Sequence, residues 1–162
     1  MSESETSDRH LLRHTLATLA YRAEKVLRGV PPGFAELSVG TGIRTPLGIL
    51  AHVGDLFDWA VALFGGEHVW NDASPEDWDE EVERFFDGIQ RLDDLLASDQ
   101  AMGFPASKIF QGPIADAFTH IGQLALLRRR AGAPVRGENY FKADIEVGRI
   151  GREQAEPRFE FD

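Results

Sequence analysis

Asp116, His120 and Gln123 stand at i, i+4 and i+7 in PIADAFTHIGQLALL, residues 113–127. If that segment is a helix, a carboxylate, an imidazole and an amide share one stripe of an otherwise apolar rod. A rod apolar on all sides reads as a core helix. A carboxylate buried there without a partner is strongly destabilising, so the stripe calls for another charge, a hydrogen-bond network or a metal ion. His52, in GILAHVGDLFDWAVALF (48–64), is a candidate partner. It shares a helical face with Trp59, with Leu56 and Leu63 beside it. Two imidazoles and one carboxylate form a sensible shell for a divalent cation. With open positions the set suits non-haem iron(II); zinc, nickel and manganese are the other candidates. The competing reading is a structural Asp–His pair whose network Gln123 completes.

Other candidates carry less chemistry. His10 and His14 are a second i, i+4 pair, but they flank the apolar seam among Asp8, Arg9 and Arg13, which reads as a solvated face. His68, in GGEHVWND, reads as a surface residue. Tyr21, Asn139 and Tyr140 are candidates for substrate contact, although spacing does not place them. Gly40-Thr41-Gly42 lacks the rest of a phosphate-binding fingerprint and a preceding strand, so it reads as a turn. The acids of SPEDWDEEVE suit a helix N-terminus and need no catalytic role. No nucleophile elbow is present.

Four helices must position these groups. The first is expected over about Ser7 to Arg28, where Leu12, Leu16, Leu19, Ala23 and Val26 keep 3–4 spacing and GVPPG stops it. The second has Thr45 as N-cap and Pro46 as first residue, and runs to Phe64 before Gly65-Gly66. The third is expected to begin the same way, with Ser74 as N-cap and Pro75 next. Asp77 then imitates a capping box, and Trp78, Val82, Phe85, Ile89, Leu92 and Leu96 form its inward seam. The fourth lies within about Ile109 to Ala131 and is stopped by Gly132. No segment reads as a convincing strand. The expected architecture is therefore an all-α four-helix bundle with Leu56, Phe118 and Leu124 also in the core. It occupies about residues 7–132 of a single domain over 1–162. An irregular C-terminal tail follows from about 133, in which ENYFKADI forms a short helix or packs on one bundle end and EPRFEFD is loosely attached.

Composition narrows the function classes. The 162 residues, 43% hydrophobic and 27% charged, suit one soluble globular unit with a sizeable core. The net charge of −10 argues against nucleic-acid binding. The basic cluster Arg128-Arg129-Arg130 reads as a complement to the negative pole of its own helix. With no cysteine, a thiolate metal site, a cysteine nucleophile and a disulfide framework are excluded. The polar N-terminus has no signal-peptide core, and no run approaches the roughly 18 apolar residues of a membrane helix. A cytoplasmic protein with no membrane partner is the default expectation.

The fourth segment, GPIADAFTHIGQLALLRRRAG, resembles the last bundle helix of DinB/YfiT-like metal-dependent proteins. Their usual pattern is His-x-x-x-His closely followed by Gln, with an earlier His on the second helix. Here LAHVGDL supplies the earlier residue as His52, and His120 matches the last. The first member of the pair is Asp116, which keeps a ligand but changes its charge and hardness. The resemblance spans essentially all four helices. It implies an up-down-down-up bundle, often dimeric, with a divalent metal at one end held by His52, Asp116 and His120, and Gln123 behind them. It further implies a thiol-dependent transferase or isomerase, or a hydrolase, acting on a small molecule. Apolar residues left over on the helices also favour a homodimer. The alternative is a non-catalytic dimeric binding module with a relic polar site. The topology makes one demand: the second and third helices run parallel, so their link must cross the bundle. Gly65 to Ser74 is ten residues, about 33–36 Å when extended, against about 28 Å of helix.

Overall fold

The computed structural model describes residues 3–75 and 77–161. Four helical rods carry the fold. α1 is Glu3–Leu27, α2 is Pro46–Phe64 and α3 is Trp78–Ala97. The fourth rod joins α4 (Ala106–Ile109), a π-helical turn (Phe110–Ile114) and α5 (Ala115–Arg130). α3 and α5 each pack between α1 and α2.

Side-chain contacts fix the directions. Arg9, near the start of α1, donates to the carbonyls of Leu96 (3.4 Å) and Ser98 (3.0 Å) at the end of α3, so these two helices are antiparallel. Along α2 and α3 the numbers rise together. Arg84 donates to the Ala51 carbonyl at 2.6 Å, Phe57 meets Phe85 at 5.6 Å, and Arg91 pairs with Asp58 at 2.6 Å. α2 and α3 are therefore parallel. Arg128, at the end of α5, donates to the Val26 and Arg28 carbonyls at the end of α1, at 2.9 and 2.6 Å, so α1 and α5 are also parallel. The order is up-down-down-up. Arg9 and Arg128 thus each satisfy carbonyls left open at a neighbouring helix end. For Arg128 this corrects the expectation that the basic cluster serves its own helix alone.

The second helix starts where its sequence directs. The Thr45 hydroxyl accepts from Gly48 N at 3.2 Å, with Pro46 in the first turn. α3 starts later than the Ser74-Pro75 signal suggests. Asp77 is its N-cap, and its carboxylate accepts from Asp79 N (2.9 Å) and Glu80 N (3.2 Å). Glu76 lies outside the described residues. The crossover therefore has the thirteen residues 65–77 rather than ten, a reach of about 43–47 Å that removes the strain of the shorter link. Asp55 of α2 anchors it by accepting from Ala73 N at 3.2–3.3 Å while pairing with Arg84 at 3.0 Å.

One continuous core runs through the bundle, including all six α3 seam residues, Leu56 and Leu124. Phe118 only packs against its edge in a half-buried position. At Gly88 an added Cβ would sit 2.7 Å from the Phe57 Cβ, so α2 and α3 approach this closely only because a side chain is missing there. α2 is long and apolar enough to cross a bilayer by length and composition, contrary to the expectation that no run qualifies. Within the bundle 67% of that stretch is buried.

The tail also departs from expectation. Gly137–Glu138 (β1) pairs antiparallel with Glu160–Phe161 (β2). Glu138, its side chain fully buried, accepts from Tyr21 Oη at 2.8 Å and from Lys25 Nζ at 3.0 Å; Lys25 also pairs with Glu160 at 2.6 Å. Ile150 enters the core, and Asn139 to Ala143 form turns, not a helix. EPRFEFD is thus tied down through Glu160; its last residue, Asp162, lies outside the described residues.

Candidate metal centre

α2 and α5 run antiparallel side by side, and this brings His52 opposite Asp116 and His120. Asp116 Oδ2 lies 3.6 Å from His52 Nε2 and 3.5 Å from His120 Nε2. The two imidazoles stand edge to face with centroids 4.7 Å apart. One potential ligand atom from each of the three residues lies within 4.8 Å of the others. Ligands bound at 2.0–2.1 Å in a tetrahedral shell are about 3.3 Å apart. The observed separations are close to that edge. They are also too long for good hydrogen bonds between the three groups. The donor set is two borderline nitrogens and one hard oxygen, which suits a divalent first-row ion.

The helix carrying the pair is not a core helix. The Asp116 side chain is 46% exposed, whereas His52 and His120 are 16% and 13% exposed. Thr119, Gly122 and Gln123 face outward, and Leu126 is 62% exposed. The apolar residues of this segment serve two surfaces, only one of which is the bundle interior. The carboxylate therefore escapes the full desolvation penalty and opens the cluster to small molecules.

Neighbours orient the rings. Gln123 Oε1 lies 2.9 Å from His120 Nδ1. With the amide oxygen as acceptor, Nδ1 carries the proton and the Nε2 lone pair turns toward Asp116. Burial lowers the His52 pKa, and the charges of Arg44 and His120 push it further down; Asp116 offsets this only in part. His52 is accordingly neutral at pH 7, the form that can donate a lone pair.

The crossover supplies the wall of the site. Trp70 lies 5.3 Å from His52 and 5.8 Å from Trp59, ring centre to ring centre. His68, expected simply at the surface, is exposed but stacks on Trp59 at 5.5 Å. The π-helical turn holds Pro113 and Gly112, and a Cβ on Gly112 would meet the Trp59 ring at 3.3 Å. Proline lacks the N–H of a regular turn, and a π turn absorbs that defect one turn before Asp116. The Trp59 Nε1 is buried and has no hydrogen-bond partner.

Sequence reasoning named the three clustered residues and Gln123 but missed Trp70, whose only signal is an aromatic residue in a link that must cross the bundle. Tyr21, Asn139 and Tyr140 are engaged elsewhere. Tyr21 is buried on Glu138, Tyr140 packs edge-on against Tyr21 at 6.4 Å, and the exposed Asn139 bonds through its backbone to Phe159. His10 and His14 are exposed, in keeping with a solvated face. No family model, curated protein or solved structure matches the chain.

Proposed function

We propose that this protein is a metal-dependent bundle of the DinB-like kind, in which His52, Asp116 and His120 hold one divalent ion and a small molecule completes the shell. The observation that carries the reading is the spacing of His52 Nε2, Asp116 Oδ2 and His120 Nε2. The carboxylate oxygen stands 3.5–3.6 Å from both nitrogens, near the edge of a coordination tetrahedron and beyond hydrogen-bond contact. When bound, a divalent ion supplies Lewis acidity toward a substrate oxygen or thiol.

The chain's own residues do the rest. His52 and His120 offer neutral nitrogens, one kept neutral by burial and the other aligned by Gln123. Asp116 brings a negative charge that an all-imidazole shell lacks, and this favours an ion harder than copper(I). Its exposure leaves one side of the cluster open, while Trp70 and Trp59 exclude water from another. The reaction class belongs to the same proposal: transfer or isomerisation assisted by a small thiol, or hydrolysis.

Metal analysis of untagged protein tests the reading. Near-stoichiometric zinc, nickel, iron or manganese is expected, lost in His52→Ala and His120→Ala. Asp116→Asn should bind more weakly at almost unchanged volume, and Asp116→His should retain a shell of three imidazoles. Wild-type protein that takes up no divalent ion on titration would make the cluster a structural network instead.

A further inference from the structure

Arg44 immediately precedes the N-cap of α2 and is exposed. Positions 44, 48 and 52 fall on one helical stripe. Gly48 has no side chain, and a Cβ built there would lie 3.6 Å from Arg44 Cβ and 4.0 Å from its Cγ. The arginine stem therefore lies back over Gly48, toward His52 one turn further on. About 12 Å of helix axis separates residues 44 and 52, and a long side chain lying along that stripe covers much of the gap. Its charge is felt at the imidazole, where it disfavours the protonated form.

Arg44 is also unpaired in a chain rich in acids. The sequence holds 27 acidic and 17 basic residues, and other arginines close ion pairs, such as Arg13 with Asp93 and Arg84 with Asp55. Arg44 forms none with a described residue. Beside it the cleft has an aromatic wall, since Trp70 lies against both His52 and Trp59.

We propose that the cleft takes a small monocarboxylic acid, its carboxylate on the Arg44 guanidinium, its apolar or aromatic body against Trp70, and a donor atom turned to the His52–Asp116–His120 cluster. This rests on the reading of that cluster as the ligand centre. The planar guanidinium fork matches a carboxylate. One free cation balances one charge, and a net charge of −10 disfavours dianions such as phosphate.

Tryptophan fluorescence titrations with phenylacetate and phenylacetamide test it, on zinc-titrated and on metal-free protein. Wild-type protein should bind the acid about tenfold more tightly than the neutral amide, as expected for one charge-assisted contact. Arg44→Gln should equalise the two probes while taking up zinc as the wild type does. Arg44→Lys should keep part of the preference. Equal binding of acid and amide by the wild type, an undiminished preference in Arg44→Gln, or no saturable binding of either probe overturns the proposal. Zinc uptake without acid preference removes the anion site and leaves the metal centre. An Arg44-dependent preference without zinc uptake removes the metal centre and leaves the anion site.

Discussion

Lys25→Met should destabilise the protein far more than a surface lysine would. Lys25 is 7% exposed and its ammonium lies 3.0 Å from a Glu138 carboxylate that is 0% exposed. Burial alone would lower the lysine pKa, but hydrogen bonds from Glu160 and Glu138 outweigh it and leave the pKa raised. The ammonium is thus firmly charged. Removing it strands the Glu138 carboxylate with the Tyr21 hydroxyl as its remaining donor among the described groups. Breaking a buried pair in this way costs about 3–5 kcal/mol. For a chain of this length that is a fall in Tm of about 6–20 °C. The cycle continues with Lys25→Met/Glu138→Leu, which removes both charges at similar volume. That variant should recover most of the loss, short of about 1–3 kcal/mol for the orphaned Tyr21 hydroxyl. Adding Tyr21→Phe should remove this remainder. The assay is urea unfolding followed by circular dichroism, with Tm as a check. A loss under about 1 kcal/mol in the single variant, or no recovery in the double, would refute the account of the tail as held by a buried ion pair.

Two further outcomes are expected. The His52 pKa is lowered in the folded state, so the unfolded chain takes up the proton first, and His52 contributes stability above pH ~6.5 that is lost as pH falls through its lower folded value. Unfolding curves of metal-free protein should show His52→Gln losing less stability than wild type across that window; parallel curves would contradict the sign. Leu11 and Phe110, 64% and 46% exposed, rim a groove of about 510 Å³ between α1 and the fourth rod. With the family resemblance they motivate a homodimer, for which light scattering should report about twice the 18.0 kDa chain mass; a purely monomeric species at high micromolar concentration would exclude it.

The legible parts of the fold are those where one local signal stands alone. Thr45-Pro46 has no competitor nearby, and α2 begins there. Upstream of α3, Ser74-Pro75 and Asp77 compete within four residues, and sequence cannot weigh them. The later start gives the crossover the length that the parallel pair needs. Two-residue strands far apart in the chain leave no alternating pattern, so β1 and β2 are invisible before Lys25 is seen bridging them. His52, Asp116 and His120 were legible because polar side chains on apolar helices are anomalies that need a reason. Their degree of exposure was not, since hydrophobicity around α5 does not say which apolar face another helix covers. Trp70 and Arg44 take their meaning from where the crossover and the Gly48 gap place them, which spacing alone does not reveal.

The π-helical turn at Phe110–Ile114 sets the phase of everything after it. A π turn holds one residue more than an α turn, and each residue advances the rod by about 100°. Gly112, which receives Trp59, and the Asp116–His120 pair, which meets His52, both face α2 with that extra residue between them. Deleting a single residue from this turn would rotate Asp116 and His120 more than a quarter turn away from α2, and would swing Ile121 and Leu124 out of the core with them. The fourth rod works as a vernier. Its lower part is indexed on tryptophan and its upper part on histidine, and one residue of slip cannot be shared between them.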